Sequence, residues 1–333
     1  MRNILFLCAA YLLNLHAQTI DTNTSYIDIT HKMISNKVVD YSDTLDIGTE
    51  KLFKIKEQKK SHTKSNNSKN IDYFFKNEKY INETDNSFVS MTLNTQFQSK
   101  YKYKKSISIN AHIGLKRTNK RLNLFISGVN DNNENKKVIN KDSPTEIGLN
   151  YFRADHYKIQ SKYSLGIRGF HPFIRARYFK IFTSNQWKIE PVQVFKYSTK
   201  DHFQENTYVY FDKAVEEKNL LRFTLHRKTQ TDINGMDYDI SGRYYWNFNK
   251  KTSLSIAQIF SGNTKYKVTP SSKKYSGINN YTTALNFRKN VWKQWFFYEI
   301  NPSVNFHKEN DYKANYAIVF LINIYFGNFN NKL

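Results

Sequence analysis

The chain has 333 residues, with 51 Lys and Arg against 28 Asp and Glu, a formal charge of +23 and a 16% aromatic share. One cysteine excludes a disulfide scaffold, and so many aromatics exclude a wholly disordered chain. A mean hydropathy of −0.69, with no apolar run of about 18 residues beyond the N-terminus, excludes a helical membrane protein.

Met1-Arg2-Asn3 is a short positive start, Ile4–Leu15 is apolar, and His16-Ala17-Gln18 returns to polar sequence. That is the pattern of a secretory signal peptide over 1–17, with cleavage after Ala17. Cys8 lies inside the apolar run, so the mature chain has no cysteine. An exported, disulfide-free protein is not a nucleic-acid binder, and the charge must have another meaning. Lys, Asn, Ile, Tyr and Phe are all A/T-rich codons, so part of the excess reflects genome composition.

Residues 18–86 are polar and rich in Lys, Asn, Ser and Thr, and Glu57–Asn70 holds no apolar residue. This stretch reads as a largely disordered periplasmic segment without a packed core, with local structure confined to Tyr26–Ile29 or Ile71–Phe75.

From 87 to 333 the pattern changes to segments of alternating apolar and polar residues broken by Asn, Lys, Gly, Ser and Asp. In 237–248, Tyr238, Ile240, Gly242, Tyr244, Trp246 and Phe248 share one face, opposite Asp237, Asp239, Ser241, Arg243 and Asn247. In 315–326, Tyr316, Ile318, Phe320, Ile322, Ile324 and Phe326 form an unbroken apolar face. Period-2 alternation means strands between two unlike environments. Further strands are predicted at 88–98, 106–116, 121–128, 145–154, 161–170, 172–182, 186–197, 204–212, 219–228, 252–261, 278–288 and 294–306. Pro172 and Pro302 predict an edge or bulge.

So many strands in an exported chain point to an all-β fold, a membrane β-barrel or a secreted sandwich, and the expectation is a transmembrane antiparallel β-barrel of about 12–14 strands. The segments have the length of a tilted spanning strand, and aromatics gather at strand ends, as in 244–246 and 295–298. Counting connections back from the last strand puts 183–185, 213–218, 248–251 and 289–293 at the periplasmic end. The longer 129–144 and 262–277 then fall outside, which is the barrel pattern. The location is the outer membrane of a Gram-negative bacterium.

At Gly166–Phe173 with Ile174–Arg177, and at Trp292–Phe306 followed by Ile318–Gly327, the chain resembles a group of uncharacterised proteobacterial outer-membrane barrel proteins. Their C-terminal half has Arg-rich strands and a closing strand ending in Phe-Gly. Arg168, Arg175, Arg177, Gln193, Arg222, Arg288, Glu299 and Pro302 carry the likeness, which covers about 160–327 and more weakly 88–160. Asn, Lys and Ile stand where relatives carry more Arg and Leu. The resemblance implies a barrel and no activity.

Parity makes Arg168, Arg175, Arg177, Arg222, Arg243, Arg288, Glu299 and Asp239 candidates for the lumen, with Asp237 and His226. Charges on a lipid face cost about 2–4 kcal/mol at the midplane, which favours this placement. In a narrow lumen they form Arg–carboxylate networks that fill the interior, or an arginine ladder that draws small anionic solutes through a pore. A third reading gives the function to the outer loops, with Lys265, Lys267, Lys273 and Lys274 on lipopolysaccharide phosphates. A lipid-modifying enzyme is the weakest reading, because the mature histidines show no adjacent Ser and no catalytic motif occurs. No cofactor and no metal site is expected, since Asp237-x-Asp239 and Asp131–Asn135 lack the spacing of an ion loop. The expected partners are membrane lipid, lipopolysaccharide and the barrel-assembly machinery, the last reached through the C-terminal strand.

Overall fold

The computed structural model describes residues 25–53, 74–75, 87–115, 117, 122–127, 145–156, 159–216, 218–231, 235–265 and 276–328. The proposed signal peptide lies outside the described residues, as do the loop 128–144 and most of the loop after residue 265.

One helix, α1 (Tyr26–Phe53), precedes the strands β1 (Phe88–Gln98), β2 (Lys104–Leu115), β3 (Leu122–Ser127), β4 (Glu146–His156) and β5 (Ile159–Arg168). There follow β6 (His171–Phe179), β7 (Phe182–Ser184), β8 (Trp187–Ser198), β9 (His202–Ala214) and β10 (Asn219–Gln230). The chain ends with β11 (Asp237–Asn249), β12 (Thr252–Asn263), β13 (Gly277–Asn290), β14 (Phe296–His307) and β15 (Ala314–Gly327). Apart from β6 and β7, which both pair with β8, each strand pairs antiparallel with its neighbours in sequence, and the sheet closes where β1 meets β15 along its whole length, Phe88 facing Gly327 and Gln98 facing Ala317. β7 continues β6 in the same register against β8, interrupted where Lys180 and Ile181 lie opposite Glu190-Pro191. Pro191 has no N–H to give to the ladder. β6 and β7 are therefore one stave, and the barrel has 14 staves.

A closed sheet has no edge, so the expectation of an edge at the prolines does not hold. Pro302 sits inside β14 and faces Ile318 of β15 in an unbroken register. Against β13 the ladder skips positions 301–302 and resumes unshifted. The missing N–H is absorbed by a gap and needs no bulge.

The wall is inverted relative to a soluble barrel. Ile107, Ile147, Leu165, Ile174, Phe223, Leu225, Ile240 and Phe320 are exposed on the outside. Ser90, Asn94, Gln96, Asn123, Ser164, Ser241, Asn286 and Asn323 are buried on the inside. An apolar outer band around a polar interior is the arrangement a bilayer selects. Both chain ends of the barrel lie at one rim, with the connections 215–218, 250–251 and 291–295. The strand ends Ser127 and Glu146, and Asn263 and Gly277, which the long connections join, lie at the other. The first rim is the periplasmic one on the pattern of short inner turns.

The polar N-terminal segment holds an element absent from the sequence reading. Residues 26–53 form α1, started by Ser25, whose Oγ accepts the N–H of Ile27 at 3.4 Å. The side it turns to the barrel is polar. The Ser42 and Ser87 hydroxyls are 2.7 Å apart, and both Asp46 carboxylate oxygens accept the Arg117 N–H at 2.9 and 3.0 Å. Because polar groups dock this helix, it carries no apolar stripe of core-facing kind for a sequence reading to find.

Candidate functional site: the lumen

Inward residues alternate along each strand, and cross-strand register decides which of them meet. All of Arg168, Arg175, Arg177, Arg222, Arg243, Arg288, Glu299 and Asp239 lie on the inner face, but the structure does not bring them into one group.

Near the periplasmic rim, Phe88, Leu220, Tyr245, Phe297 and Tyr325 converge from five strands on Phe74 and Phe75, both 1% exposed. The rings of Phe74 and Phe297 are 6.0 Å apart edge-on, and those of Phe75 and Tyr245 are 5.2 Å apart. Two residues from the segment before the barrel thus occupy the inner mouth, held by apolar burial and edge-to-face contacts. Arg288 lies over this cluster, with its guanidinium 4.4 Å from the Phe297 ring centroid and 5.8 Å from that of Phe74. It donates to Glu299 and, at 2.9 Å, to the Tyr325 hydroxyl. Glu299 also accepts from Asn323 at 3.0 Å and from Asn286 at 3.4 Å. Arg288 and Glu299 are among the most buried ionic groups described, 1% and 2% exposed, and are tolerated there because each is paired and hydrogen-bonded.

Around β9–β11 the same principle repeats. Arg222 donates to both oxygens of Asp212 at 2.6 and 2.8 Å, a bidentate pair. His226 Nδ1 is 2.9 Å from Asp239, its Nε2 is 3.3 Å from Asn206 Oδ1, and its ring stacks on Tyr208 at 4.2 Å. This His–Asp pair would be the natural start of a catalytic triad, but the second nitrogen meets an amide oxygen where a nucleophile would have to stand.

On β4–β8 the interior is different. Glu146 is surrounded by Lys196 Nζ at 2.6 Å, Arg175 Nη1 at 3.4 Å and Arg168 Nε at 3.9 Å. Arg168 also reaches Asp201 at 3.3 Å. Arg175 lies over the rings of Phe125 and Phe173 at 5.6 and 5.4 Å, and Lys196 over Phe173 at 4.4 Å. Two glycines make room for those rings. A Cβ on Gly148 would stand 2.9 Å from the Phe125 ring, and one on Gly166 would stand 2.9 Å from that of Phe173. Deeper along the same strands, Arg177 faces Lys162 across the ladder. Arg177 is 7% exposed, its guanidinium lies 5.2 Å from the Phe179 ring, and its Nε has no hydrogen-bond partner. The inner wall here carries Lys162, Arg168, Arg175, Arg177, Lys188 and Lys196 against Glu146 and Glu190.

Sequence reasoning missed three features. Glu146 and Asp212 are carboxylates that hold the arginines, yet nothing in either strand names its partner, and only register reveals it. The aromatic pair at 74–75 reads in the sequence only as local structure. Charge is not confined to the inner face, because Arg227 and Glu205 point outward, 2.6 Å apart. Arg227 Nε also donates to Thr207, whose hydroxyl donates to Gln193 Oε1, while Gln193 Nε2 donates to Glu205. A closed network of this kind leaves little of either charge unbalanced on the outer wall. Gln193, which carries part of the family likeness, belongs to this outer network. Among the described residues no cluster of metal-ligand type occurs. Lys267, Lys273 and Lys274 lie outside the described residues.

No family model matches the chain, and no curated protein matches it. Solved structures similar in shape include the KdgM porin in complex with disordered oligogalacturonate, at 8% identity over 71% of this chain and 98% of that one, TM-score 0.35. OmpT of Vibrio cholerae is similar at 10% identity over 73% and 99%, TM-score 0.41. OccK5 of Pseudomonas aeruginosa is similar at 4% identity over 72% and 97%, TM-score 0.43. Neither substrate nor selectivity carries over from likenesses of this degree.

Proposed function

We propose that the chain is an outer-membrane barrel whose lumen is a filled, Arg-lined interior, a narrow passage at most, shut at the periplasmic mouth by Phe74 and Phe75. The observation that carries this reading is the burial of inward side chains from one rim to the other. Gln96, Ser198 and Asn315 toward the loop end are buried, as are Ala257, Ile259 and Val319 midway and Glu190, Arg288 and Tyr245 toward the periplasmic rim. A water-filled bore would leave them open to solvent. Planar-bilayer recording of the full chain tests it. The expected result is little or no steady conductance, and a large steady conductance would overturn the filled lumen.

A second reading, a pore for small anionic solutes, is favoured by one specific observation, the excess of cations on β5, β6 and β8. Cations lining a low-dielectric passage raise the local concentration of anions. On this reading Phe74 and Phe75 are a stopper, and a Phe74→Ala/Phe75→Ala double variant passes current with anion preference. Arg175→Ala/Arg177→Ala on that background abolishes the preference. A double variant that stays silent, or passes cations and anions equally, removes the anion pore. The assembly machinery is proposed to engage β15, whose alternation ends in Ile324-Tyr325-Phe326 at the seam.

A further inference from the structure

The helix α1 meets the barrel in an order that defines its direction. His31 Nε2 is 2.7 Å from the Tyr325 carbonyl oxygen, and its ring stacks on Trp295 at 4.0 Å and on Phe326 at 5.1 Å, so the first turns lie on β14–β15. Val38 reaches Gly327 and Ser42 meets Ser87, at the seam where β15 joins β1. Asp46 and Glu50 then hold Arg117 in the β2–β3 turn. β14, β15, β1, β2 and β3 are successive staves of the wall. A helix of 28 residues, about 42 Å long, that meets the turn before β14, then β15, β1 and β2, and then the turn after β2, runs around the rim. Its axis is therefore parallel to the membrane plane and perpendicular to the barrel axis.

A helix laid along the rim has one flank turned toward the rim and another toward the bilayer. The docked flank is His31, Ser35, Val38, Ser42, Asp46 and Thr49, spaced at helical intervals. Beside it, at i, i+7, i+14 and i+18, runs a stripe of Ile27, Ile34, Tyr41 and Leu45, all exposed. Between the first turns and the wall is a groove of about 300 Å³ lined by Tyr26, Ile27, Ile34, Trp295, Ile324 and Phe326, with Thr30 and His31. Ile324 and Phe326 are outward residues of β15, so the groove opens directly onto the apolar band that faces lipid. Its walls are almost entirely apolar, and its continuation is the acyl region of the inner leaflet.

We propose that α1 is an interfacial helix embedded in the periplasmic leaflet of the outer membrane, and that the groove between its first turns and β15 seats a phospholipid acyl chain. An amphipathic helix in the membrane plane buries its apolar stripe at the boundary of headgroups and chains. Here the polar flank is spent on the rim, which fixes the helix rotation so that the stripe faces the chains. This inference rests on the membrane-barrel reading.

The test uses the full chain with Cys8→Ser, reconstituted in phosphatidylethanolamine/phosphatidylglycerol vesicles. Single variants Ile34→Cys, Tyr41→Cys and Leu45→Cys on the stripe are compared with Asn36→Cys and Asp43→Cys on the open side. Phe320→Cys on the outer face of β15 reports the membrane reading itself. Each carries a fluorophore, and quenching by doxyl-labelled lipid is set against quenching by aqueous iodide. The expected result is lipid quenching at 34, 41 and 45 approaching that at 320, with 36 and 43 quenched by iodide. Lipid quenching at 320 with iodide quenching at all five helix positions overturns the interfacial helix and leaves the barrel intact. Iodide quenching at 320 overturns the barrel reading. For the groove, Ile34→Trp fills the space, and lipid quenching of a label at Ile27→Cys is expected to fall relative to the same label without the Trp. No change in that quenching overturns the acyl-chain occupant. Far-UV circular dichroism of each variant confirms that α1 and the barrel have formed before quenching is read.

Discussion

Two arcs of the same inner wall treat charge in opposite ways. From β9 to β15, Arg222 has Asp212, Arg288 has Glu299 and His226 has Asp239, each within hydrogen-bond reach. From β4 to β8, Arg168, Arg175 and Lys196 converge on Glu146, and Arg177 lies beside Lys162. The first arc behaves as a packed interior, in which three charges are admitted with their partners, while Arg243, opposite Arg222 on the ladder, lies over the Tyr245 ring. The second holds a surplus and tempers it with aromatic faces, Phe125, Phe173 and Phe179 beneath the cations. Burial alone does not distinguish a structural ionic group from a functional one. The local balance of charge is a second criterion, and on the proposed anion-pore reading it points to β5, β6 and β8.

The largest effect expected is in the balanced arc. Glu299→Gln strands a fully buried Arg288, at a cost of about 3–5 kcal/mol, measured as a fall in the urea midpoint of the vesicle-folded barrel. Replacing both members, Arg288→Met with Glu299→Met, should restore most of the loss, because a matched pair and a well-packed apolar pair of similar volume are close in free energy. A double variant as unstable as the single one would show that Arg288 holds Tyr325 and the Phe74–Phe75 cluster by more than its ion pair.

In the surplus arc, Gly166→Ala pushes a methyl into the Phe173 ring and the Ile147 carbonyl oxygen. A loss of about 1–3 kcal/mol is expected from overpacking, read by the same unfolding midpoint. Arg177→Ala should cost less, about the 0.5–2 kcal/mol of its cation–π contact. Its larger consequence should appear in the reversal potential of the Phe74→Ala/Phe75→Ala background, as reduced anion preference. Glu146→Gln in that background should shift the preference the opposite way, since three cations lose their shared carboxylate. If both substitutions leave the reversal potential unchanged, the two arcs differ in composition and not in function.

The strands were legible in the sequence to within a few residues because two unlike environments, lipid outside and polar groups inside, impose a period of two. The strand read at 172–182 is β6 with β7, and the single stave survives a proline in its partner because the register does not shift. The parity of the arginines was legible for the same reason. Their partners were not. Glu146 is separated from Lys196 by 50 residues and Arg288 from Tyr325 by 37, and nothing in either segment names the other. α1 escaped notice because its docking side, Val38 apart, is made of polar residues such as Ser42, Asp46 and His31, which carry little hydropathy signal.

By itself, then, the sequence determined that this chain closes into a membrane barrel with charge within, since alternation is a local property set by two solvents. Only the tertiary structure decided which charges are matched, that Phe74 and Phe75 fill the inner mouth, and that a polar-faced helix runs around the rim. Those facts depend on register and closure, which bring together residues far apart in the chain, and the physical chemistry of a pair begins only when its members are within reach.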